Sequence, residues 1–315
     1  MALDTAGGTY LLIGAGGFVG THLGQAASAA GLHVVAGSRQ GSDEAPPCDL
    51  LDRAAVEECL RAVGPDLIVN AAGDPSVARS WEHPDEAHAT NADGVRNLLA
   101  AAAAVAPRAH VVCLSSAAVY GQRGQEEMPL REDSPLAPVS PYGEAKLAME
   151  GICREAEISS GLRIAVVRAF NLVGPGQHPF NAASSLAHQI VVAESADRGA
   201  VELLLGNPGA TRDLIDVRDA ARALVELSSQ RIAGTFNLCS GRAHSVAEQA
   251  AALAPLTALA VATRVDATLA RPSDPTLLVG DPGRLREAIG FVPEIPLESS
   301  LADLLEWWRQ RLAGV

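Results

Sequence analysis

The sequence is poor in several residue classes, and each shortage narrows the kind of protein it can encode. Aromatic residues make up 3% of the 315 residues and charged residues 19%, and 24 basic residues face 37 acidic ones, for a formal net charge of −13. A surface this acidic repels phosphate backbones, so we expect no nucleic-acid partner. With 48% hydrophobic residues, the chain is also not a disordered protein.

Cysteines are few and scattered, and long apolar runs are missing. The five cysteines are Cys48, Cys59, Cys113, Cys153 and Cys239. They form no CxxC pair, and an odd number over a long chain favours reduced thiols rather than a disulfide framework. No apolar run reaches the roughly 18 residues of a membrane helix, and the N-terminus lacks the pattern of a signal peptide. We therefore expect a cytoplasmic protein without a membrane partner.

Motifs for metal or hydrolytic chemistry are also missing. The eight histidines include no pair at helical ligand spacing beside a glutamate, so we expect no metal site. The chain has no GxSxG sequence, the motif of the hydrolase nucleophile elbow, so nothing in the sequence indicates a hydrolase of that type.

Strand and helix patterns alternate through the first half of the chain. Short runs that are apolar on both faces are typical of a parallel sheet covered by helices on both sides. These runs are Tyr10–Ile13, His33–Ala36, Leu67–Val69, His110–Leu114 and Arg163–Val167. They predict an α/β fold with a doubly wound, Rossmann-type parallel sheet. We expect a dinucleotide-binding domain over residues 1–169. Gly- and Pro-rich loops predict a smaller, mainly substrate-binding domain over 170–315, with some segments returning to the first.

A glycine-rich turn joins the first predicted strand to the first helix. Gly14 suits a tight turn, Gly17 would let a pyrophosphate approach the backbone, and Gly20 would allow close packing of the helix on the sheet. Phe18 and Val19 open the helix, whose free N–H groups favour phosphate. This context predicts a dinucleotide-binding turn.

The end of the second strand indicates which dinucleotide. NAD sites usually have a carboxylate there, which binds the ribose hydroxyls. This sequence has Ser38 and Arg39 instead, and Asp43 and Glu44 are too far along the chain to reach the ribose. Because arginine forms bidentate charged hydrogen bonds with phosphate, the pattern predicts NADP(H), with NAD(H) as the alternative.

A second motif carries acid–base chemistry. Ser140 and Pro141 begin a predicted helix on which Tyr142 and Lys146 share one face. We expect the Lys146 ammonium to lower the pKa of Tyr142 and make it a general acid or base. A strand that ends at Ser115–Gly121 could bring a hydroxyl to the same reacting oxygen.

Together these motifs resemble the extended short-chain dehydrogenases/reductases that act on nucleotide sugars, and within them most closely the GDP-4-keto-6-deoxy-D-mannose reductases. The resemblance runs over essentially the whole length. The stretches that carry it are Gly14–Gly20, Ser38–Arg39, Asn70–Gly73, Pro75–Trp81, Asn91, Ser115–Gly121, Tyr142, Lys146, Arg168–Gln177, Arg212–Asp219, Phe236–Gly241 and Arg271–Leu278.

The resemblance implies a role for each matching residue. Ser116 would hydrogen-bond the substrate oxygen, Tyr142 would pass it a proton, and Lys146 would hold the nicotinamide ribose. The implied adenine contacts are Asp49 and Leu50, and the other implied cofactor contacts are Ala71 and Ala72. The implied substrate contacts are Ser76, Asn171, Arg212 and Arg271.

Two departures from the family pattern limit the reaction. Dehydratases of the family carry an Asp-Glu pair after the hydroxyl residue, where this chain has Ala117 and Ala118, so we expect no dehydration. Asn70 replaces a usual histidine, and we assign it no chemical role.

The expected function is NADPH-dependent reduction of a nucleotide-linked 4-keto-6-deoxy hexose. The alternatives are a nucleotide-sugar epimerase that retains NAD and a non-catalytic NADP(H)-sensing protein. The alanine-rich helices near 95–106 and 145–156 have small faces. In the family such helices pair across a homodimer, although they could also pack tightly within one chain.

Overall fold

The computed structural model describes residues 8–269 and 276–314 as an α/β structure. The strands are β1 (Thr9–Ile13), β2 (His33–Gly37), β3 (Leu67–Asn70), β4 (His110–Ser116), β5 (Arg163–Ala169), β6 (Asn171–Val173), β7 (Ala200–Leu205), β8 (Thr211–Asp216), β9 (Gly234–Leu238), β10 (Ala243–Ser245), β11 (Ala260–Val265) and β12 (Leu277–Leu278). The helices are α1 (Phe18–Ala29), α2 (Arg53–Val63), α3 (Val77–Glu82), α4 (Pro84–His88), α5 (Gly94–Val105), α6 (Pro141–Ser160), α7 (Ala182–Ser195), α8 (Val217–Ser229), α9 (Val246–Leu253), α10 (Gly283–Ile289) and α11 (Leu297–Ala313).

The main sheet has six parallel strands in the order β2-β1-β3-β4-β5-β9. All five strands predicted from the apolar runs lie in it, and β9 is a sixth. The predicted fold class, a Rossmann-type parallel sheet flanked by helices, is confirmed.

Helices cover both faces of this sheet because successive strand residues point to opposite sides. On β1, Leu11 packs with Leu98 of α5 in one core, which α2 and α6 complete. Its neighbour Leu12 packs with Leu23 of α1 in a second core, which α8 completes. Both faces of β1 are thus buried, which explains why its sequence is a continuous apolar run.

A second group of elements follows β5. Strands β10, β8 and β12 form a small sheet that β6 joins, and β7 pairs with β11. Helices α7, α9 and α11 enclose a separate apolar core around Leu186, Leu253 and Leu304. The boundary at residue 170 stays a prediction, because β9 joins the main sheet and the later helices α8 and α10 pack in its second core.

The carboxyl ends of the parallel strands meet at one edge of the main sheet. Ile13 pairs with Asn70, and Ser116 pairs with Ala169. The glycine turn after β1, the segment after β3 and the hydroxyl at the end of β4 therefore reach the same edge. Ligands of open α/β sheets bind there.

Candidate active site

Ser116, Tyr142 and Lys146 come together where β4 meets the start of α6. Ser140 caps α6 by accepting a hydrogen bond from the Gly143 N–H at 3.2 Å, and Pro141 occupies the first turn. The Ser116 side chain lies close enough to Tyr142 to lower the pKa of its hydroxyl. The Lys146 ammonium lies 5.8 Å from the centre of the Tyr142 ring and donates to the Leu114 carbonyl at 3.0 Å. The structure thus brings together the three residues expected to be catalytic.

The electrostatics of the pair differ from the expectation. Burial raises the pKa of Tyr142, the Ser116 side chain offsets part of that rise, and nearby Asp74 adds to it. Burial also lowers the pKa of Lys146 to about 8. The expected lowering of the Tyr142 pKa by Lys146 is therefore wrong for this structure, because desolvation dominates both groups. At neutral pH Tyr142 keeps its proton.

A buried polar network lies behind these residues and was not anticipated from the sequence. The Arg168 guanidinium forms two hydrogen bonds with the Glu150 carboxylate, at 2.9 and 2.7 Å, and the Ser115 hydroxyl donates to Glu150 at 2.6 Å. Arg168 also donates to the Tyr120 hydroxyl, which donates to Asn237 at 2.6 Å. The network ties the end of β4, helix α6 and strand β5 together. The feature of the sequence that could have indicated this network is Glu150, which lies one turn beyond Lys146 on the same helix face.

The glycine turn has the shape that the sequence predicted. Gly14 has a φ of +85°, and a Cβ there would come within 2.6 Å of the Ala72 backbone nitrogen. A Cβ on Gly20 would overlap the Gly14 carbonyl oxygen. Only glycine therefore lets β1, the turn and α1 pack this closely.

The first turn of α1 begins at Phe18 and Val19 next to this turn. No side chain in the described ranges caps the helix, and its first turn carries no acidic residue. A Cβ on Gly16 would meet nothing within 4 Å. Open space beside Gly16 and an uncapped helix start fit a bound diphosphate, so these residues fit a nicotinamide dinucleotide.

At the end of β2, the exposed Arg39 forms no ion pair within the described residues. Glu44, which the sequence predicted to be too far away to reach the ribose, approaches His33, with 3.8 Å between Glu44 Oε1 and His33 Nε2. The Ser38 hydroxyl donates to the Gly41 carbonyl at 3.0 Å and shapes the turn. Arg39 is thus a cation left available to an anionic ligand.

The other expected cofactor contacts lie at the same sheet edge. Asp49 accepts a hydrogen bond from the Leu51 N–H at 3.0 Å, and buried Leu50 packs into the first core. After β3, the half-buried Ala71 and Ala72 pass directly beside Gly14. Asn70 accepts from the Ala72 N–H at 3.1 Å and shapes this segment. Their contact with a cofactor stays a prediction.

Asn91 is one of the residues that carry the resemblance, although no role is implied for it. Its side-chain amide donates to the carbonyls of Asp74 and Ala87. Its buried Oδ1 has no partner among the described residues. A Cβ on Gly73 would lie 2.6 Å from this oxygen and 3.5 Å from Lys146 Nζ. Asn91 therefore lies close to Lys146, one of the residues expected to be catalytic.

The expected substrate contacts are only partly brought together. Asn171 and Arg212 line one cavity of about 300 Å³ beneath α7, β7 and α9. Ser76 lies elsewhere, at the start of α3, where its hydroxyl accepts from the Arg79 N–H at 3.1 Å. Arg271 lies outside the described residues. Gln177, for which the resemblance implied no role, and Gln249, which lies outside the matching stretches, also line the cavity.

The described residues contain neither a membrane-spanning helix nor a cluster of metal ligands. Across residues 8–269 and 276–314 no helix is both long and apolar enough to cross a bilayer. In the same ranges no three His, Cys, Asp or Glu side chains are grouped so that they could hold a metal ion.

Comparison with known proteins identifies the family. The sequence model of the NAD dependent epimerase/dehydratase family matches residues 10–239. The chain belongs to this family. A GDP-6-deoxy-D-mannose reductase of Pseudomonas aeruginosa is 31% identical over 79% of the chain and 82% of its own length. A UDP-glucose 4-epimerase of Azospirillum brasilense is 33% identical over 95% of the chain and 91% of its own length.

A solved structure extends the likeness to the fold. RMD from Pseudomonas aeruginosa, complexed with NADPH, superposes with a TM-score of 0.86 at 29% identity, over 96% of this chain and 99% of that one. The resemblance to extended short-chain dehydrogenases/reductases is confirmed, and with it an NAD(P)-dependent oxidoreductase in preference to a non-catalytic sensor.

Proposed function

We propose that the protein reduces the ketone of a nucleotide-linked 4-keto-6-deoxy hexose with NADPH. In this reaction the ketone carbon gains a hydride, the oxygen gains a proton, and the products are the 6-deoxy sugar and NADP⁺. The proposal draws on the relative named GDP-6-deoxy-D-mannose reductase and on a site whose tyrosine keeps its proton at neutral pH.

The chain's own residues would handle the substrate oxygen. The Ser116 hydroxyl orients the oxygen, and Tyr142, which lies beside Ser116, donates the proton. Lys146, fixed by the Leu114 carbonyl at 3.0 Å, holds the ribose beside them. A bound NADPH would supply the hydride. Gly14, Gly17 and Gly20 with the start of α1 would hold its diphosphate.

The observation that carries the cofactor choice is Arg39. It stands exposed at the end of β2 without an ion-pair partner in the described part of the chain. An unpaired guanidinium favours the 2′-phosphate that distinguishes NADPH from NADH. A reductase needs such an exchangeable cofactor, whereas an epimerase retains its own.

The experiment is turnover of a substrate panel. Purified protein receives GDP-, UDP- or dTDP-linked 4-keto-6-deoxy hexoses with NADPH, and loss of NADPH absorbance is followed with product analysis. We expect stoichiometric NADPH loss and the 6-deoxy sugar with at least one of them. Absence of turnover across the panel would refute the proposal.

A nucleotide-sugar epimerase is the second candidate, because the Azospirillum brasilense epimerase matches 95% of the chain. Heat-denatured protein can be assayed for released nicotinamide cofactor. An epimerase would release about one NAD⁺ per chain and would convert UDP-glucose without added cofactor. We expect neither result.

A further inference from the structure

One side-chain amide that borders the cavity of Asn171 and Arg212 is buried without a hydrogen bond to the described residues. Gln249 lies on α9 with 2% of its surface exposed and lines the cavity that also contains Asn171 and Arg212. Its Oε1 has no partner, and no hydrogen bond of its amide occurs within residues 8–269 and 276–314.

A half-buried glutamine on another helix shows how a side-chain amide of this protein is otherwise bonded. On α7, Gln189 accepts from the Leu204 N–H at 2.8 Å and donates to the Leu204 carbonyl at 3.4 Å. Burying an amide without such bonds is costly, and native structures contain few examples. An apolar side chain would suit the position of Gln249 better in the absence of a ligand.

The cavity has the composition of a small-molecule site. Its volume of about 300 Å³ is at the lower end of the usual range for such pockets. Leu186, Leu205, Leu214 and Val246 supply apolar wall, which suits a flat ring, and Arg212 supplies a cation, which suits a phosphate. The cavity therefore matches a nucleotide better than a free sugar.

We propose that Gln249 recognises the nucleobase of the nucleotide-sugar substrate through its side-chain amide. A carboxamide has a donor and an acceptor side by side. Guanine and uracil each have an N–H beside a carbonyl oxygen, which such an amide complements. This inference rests on the proposed function, since it presumes a nucleoside diphosphate in this cavity.

A second glutamine supports a ligand that carries hydrogen-bond donors. Gln177 also lines the cavity, and its Nε2 donates to the Leu172 carbonyl at 2.6 Å. Its Oε1 is buried without a partner among the described residues. The Oε1 atoms of Gln177 and Gln249 thus both lack a hydrogen-bond donor among the described residues. This is expected if the base or sugar of a bound ligand supplies the donors.

The test is Gln249→Met, which keeps the length of the side chain and removes its two polar atoms. Titration calorimetry measures the affinity of the full-length wild type and variant for GDP, UDP and NADPH. We expect the Kd for the preferred diphosphate to rise about 10-fold or more, while the Kd for NADPH is unchanged. The Tm should stay or rise, because an unsatisfied amide is lost. Gln189→Met is the matched control and should lower the Tm.

Other outcomes overturn the inference in distinguishable ways. An unchanged Kd for GDP and UDP in Gln249→Met would refute base recognition and leave the proposed function standing. A lowered Tm in that variant with an equal loss of NADPH binding would make Gln249 a structural residue. A wild type that binds neither GDP nor UDP would refute the inference, whereas the proposed function is refuted only by absence of turnover across the panel that also contains dTDP-linked sugars.

Discussion

At the scale of single residues, desolvation by burial determines the pKa shifts of Tyr142 and Lys146. Their spacing on α6 was enough to predict a shared face, because that follows from helix geometry. The pKa directions were not predictable, because desolvation depends on tertiary packing around both groups. In the reductive direction a protonated tyrosine beside Ser116 is the useful form.

Tyr142→Phe removes only the hydroxyl that we propose as the proton donor. General acid catalysis typically contributes about 10²–10⁴-fold, so kcat should fall by roughly that factor while the Kd for NADPH is unchanged. Steady-state kinetics and calorimetry would check this. Tyr120→Phe is the control: its hydroxyl is buried against Asn237 at 2.6 Å, so that variant should lose stability rather than proton transfer. Near wild-type kcat in Tyr142→Phe would contradict the mechanism.

Lys146 predicts a pH-dependent stability. Its pKa is lowered by burial to about 8, whereas the unfolded chain keeps the ordinary value near 10.5. Between those values the unfolded state binds the extra proton, so folding becomes more favourable as the pH rises, by roughly 1.4 kcal/mol per pH unit. Below about pH 8 both states are protonated and the contribution is flat. Urea unfolding of wild type and Lys146→Met from pH 7 to 9.5 should give diverging free energies above pH 8. Parallel curves would place the lysine pKa near its usual value.

Arg39 predicts cofactor discrimination. Removing a charged hydrogen bond to the 2′-phosphate costs roughly 1.5–3 kcal/mol, so Arg39→Ala should lose about tenfold or more in kcat/KM with NADPH and little with NADH. Arg53→Ala, at an exposed arginine paired with Glu57 at 2.9 Å, is the control and should change neither. An equal loss of kcat/KM with NADPH and NADH would mean that Arg39 contacts a part of the cofactor that both molecules have in common.

At the scale of elements, the parallel strands were the easiest to predict and the later irregular segments the hardest. Both faces of β1 are buried, so Leu11 and Leu12 form part of one unbroken apolar run. Gln249 gave no such signal, because one buried polar residue in the short helix α9 resembles a surface position in the sequence. That its side-chain amide lacks hydrogen-bond partners among the described residues can be seen only in the three-dimensional structure.

The junction of β1 and α1 predicts opposite effects for two glycines one turn apart. A Cβ on Gly20 would overlap the Gly14 carbonyl oxygen, whereas one on Gly24 would make an ordinary 3.6 Å contact with Leu12. Gly20→Ala should therefore destabilise by about 1–3 kcal/mol and weaken NADPH binding. Gly24→Ala should stabilise by about 0.5–1 kcal/mol through helix propensity. Urea unfolding and calorimetry measure both, and a neutral Gly20→Ala would show that the turn can relax.

At the scale of the whole molecule, one face of α6 is partly exposed. Ala148, Gly151, Glu155 and Ile158 recur along it at spacings of three and four, and Ile158 is 81% exposed. An isoleucine this exposed would gain from burial against another helix. The expected homodimer would use this face together with α5.

Gly151→Arg tests the homodimer without threatening the fold. A Cβ at Gly151 meets nothing within 4 Å in the described structure, and arginine is a better helix former than glycine, so the single chain should keep its stability. A long charged side chain would nevertheless block close approach of a second α6. We expect light scattering to give twice the chain mass of 32.5 kDa for wild type and one chain mass for Gly151→Arg. Gly199→Arg, at an equally open exposed position before β7, should stay dimeric. A wild type that runs as one chain would contradict the dimer. A dimeric Gly151→Arg would instead exclude α6 as the interface, because no other face is altered by that substitution.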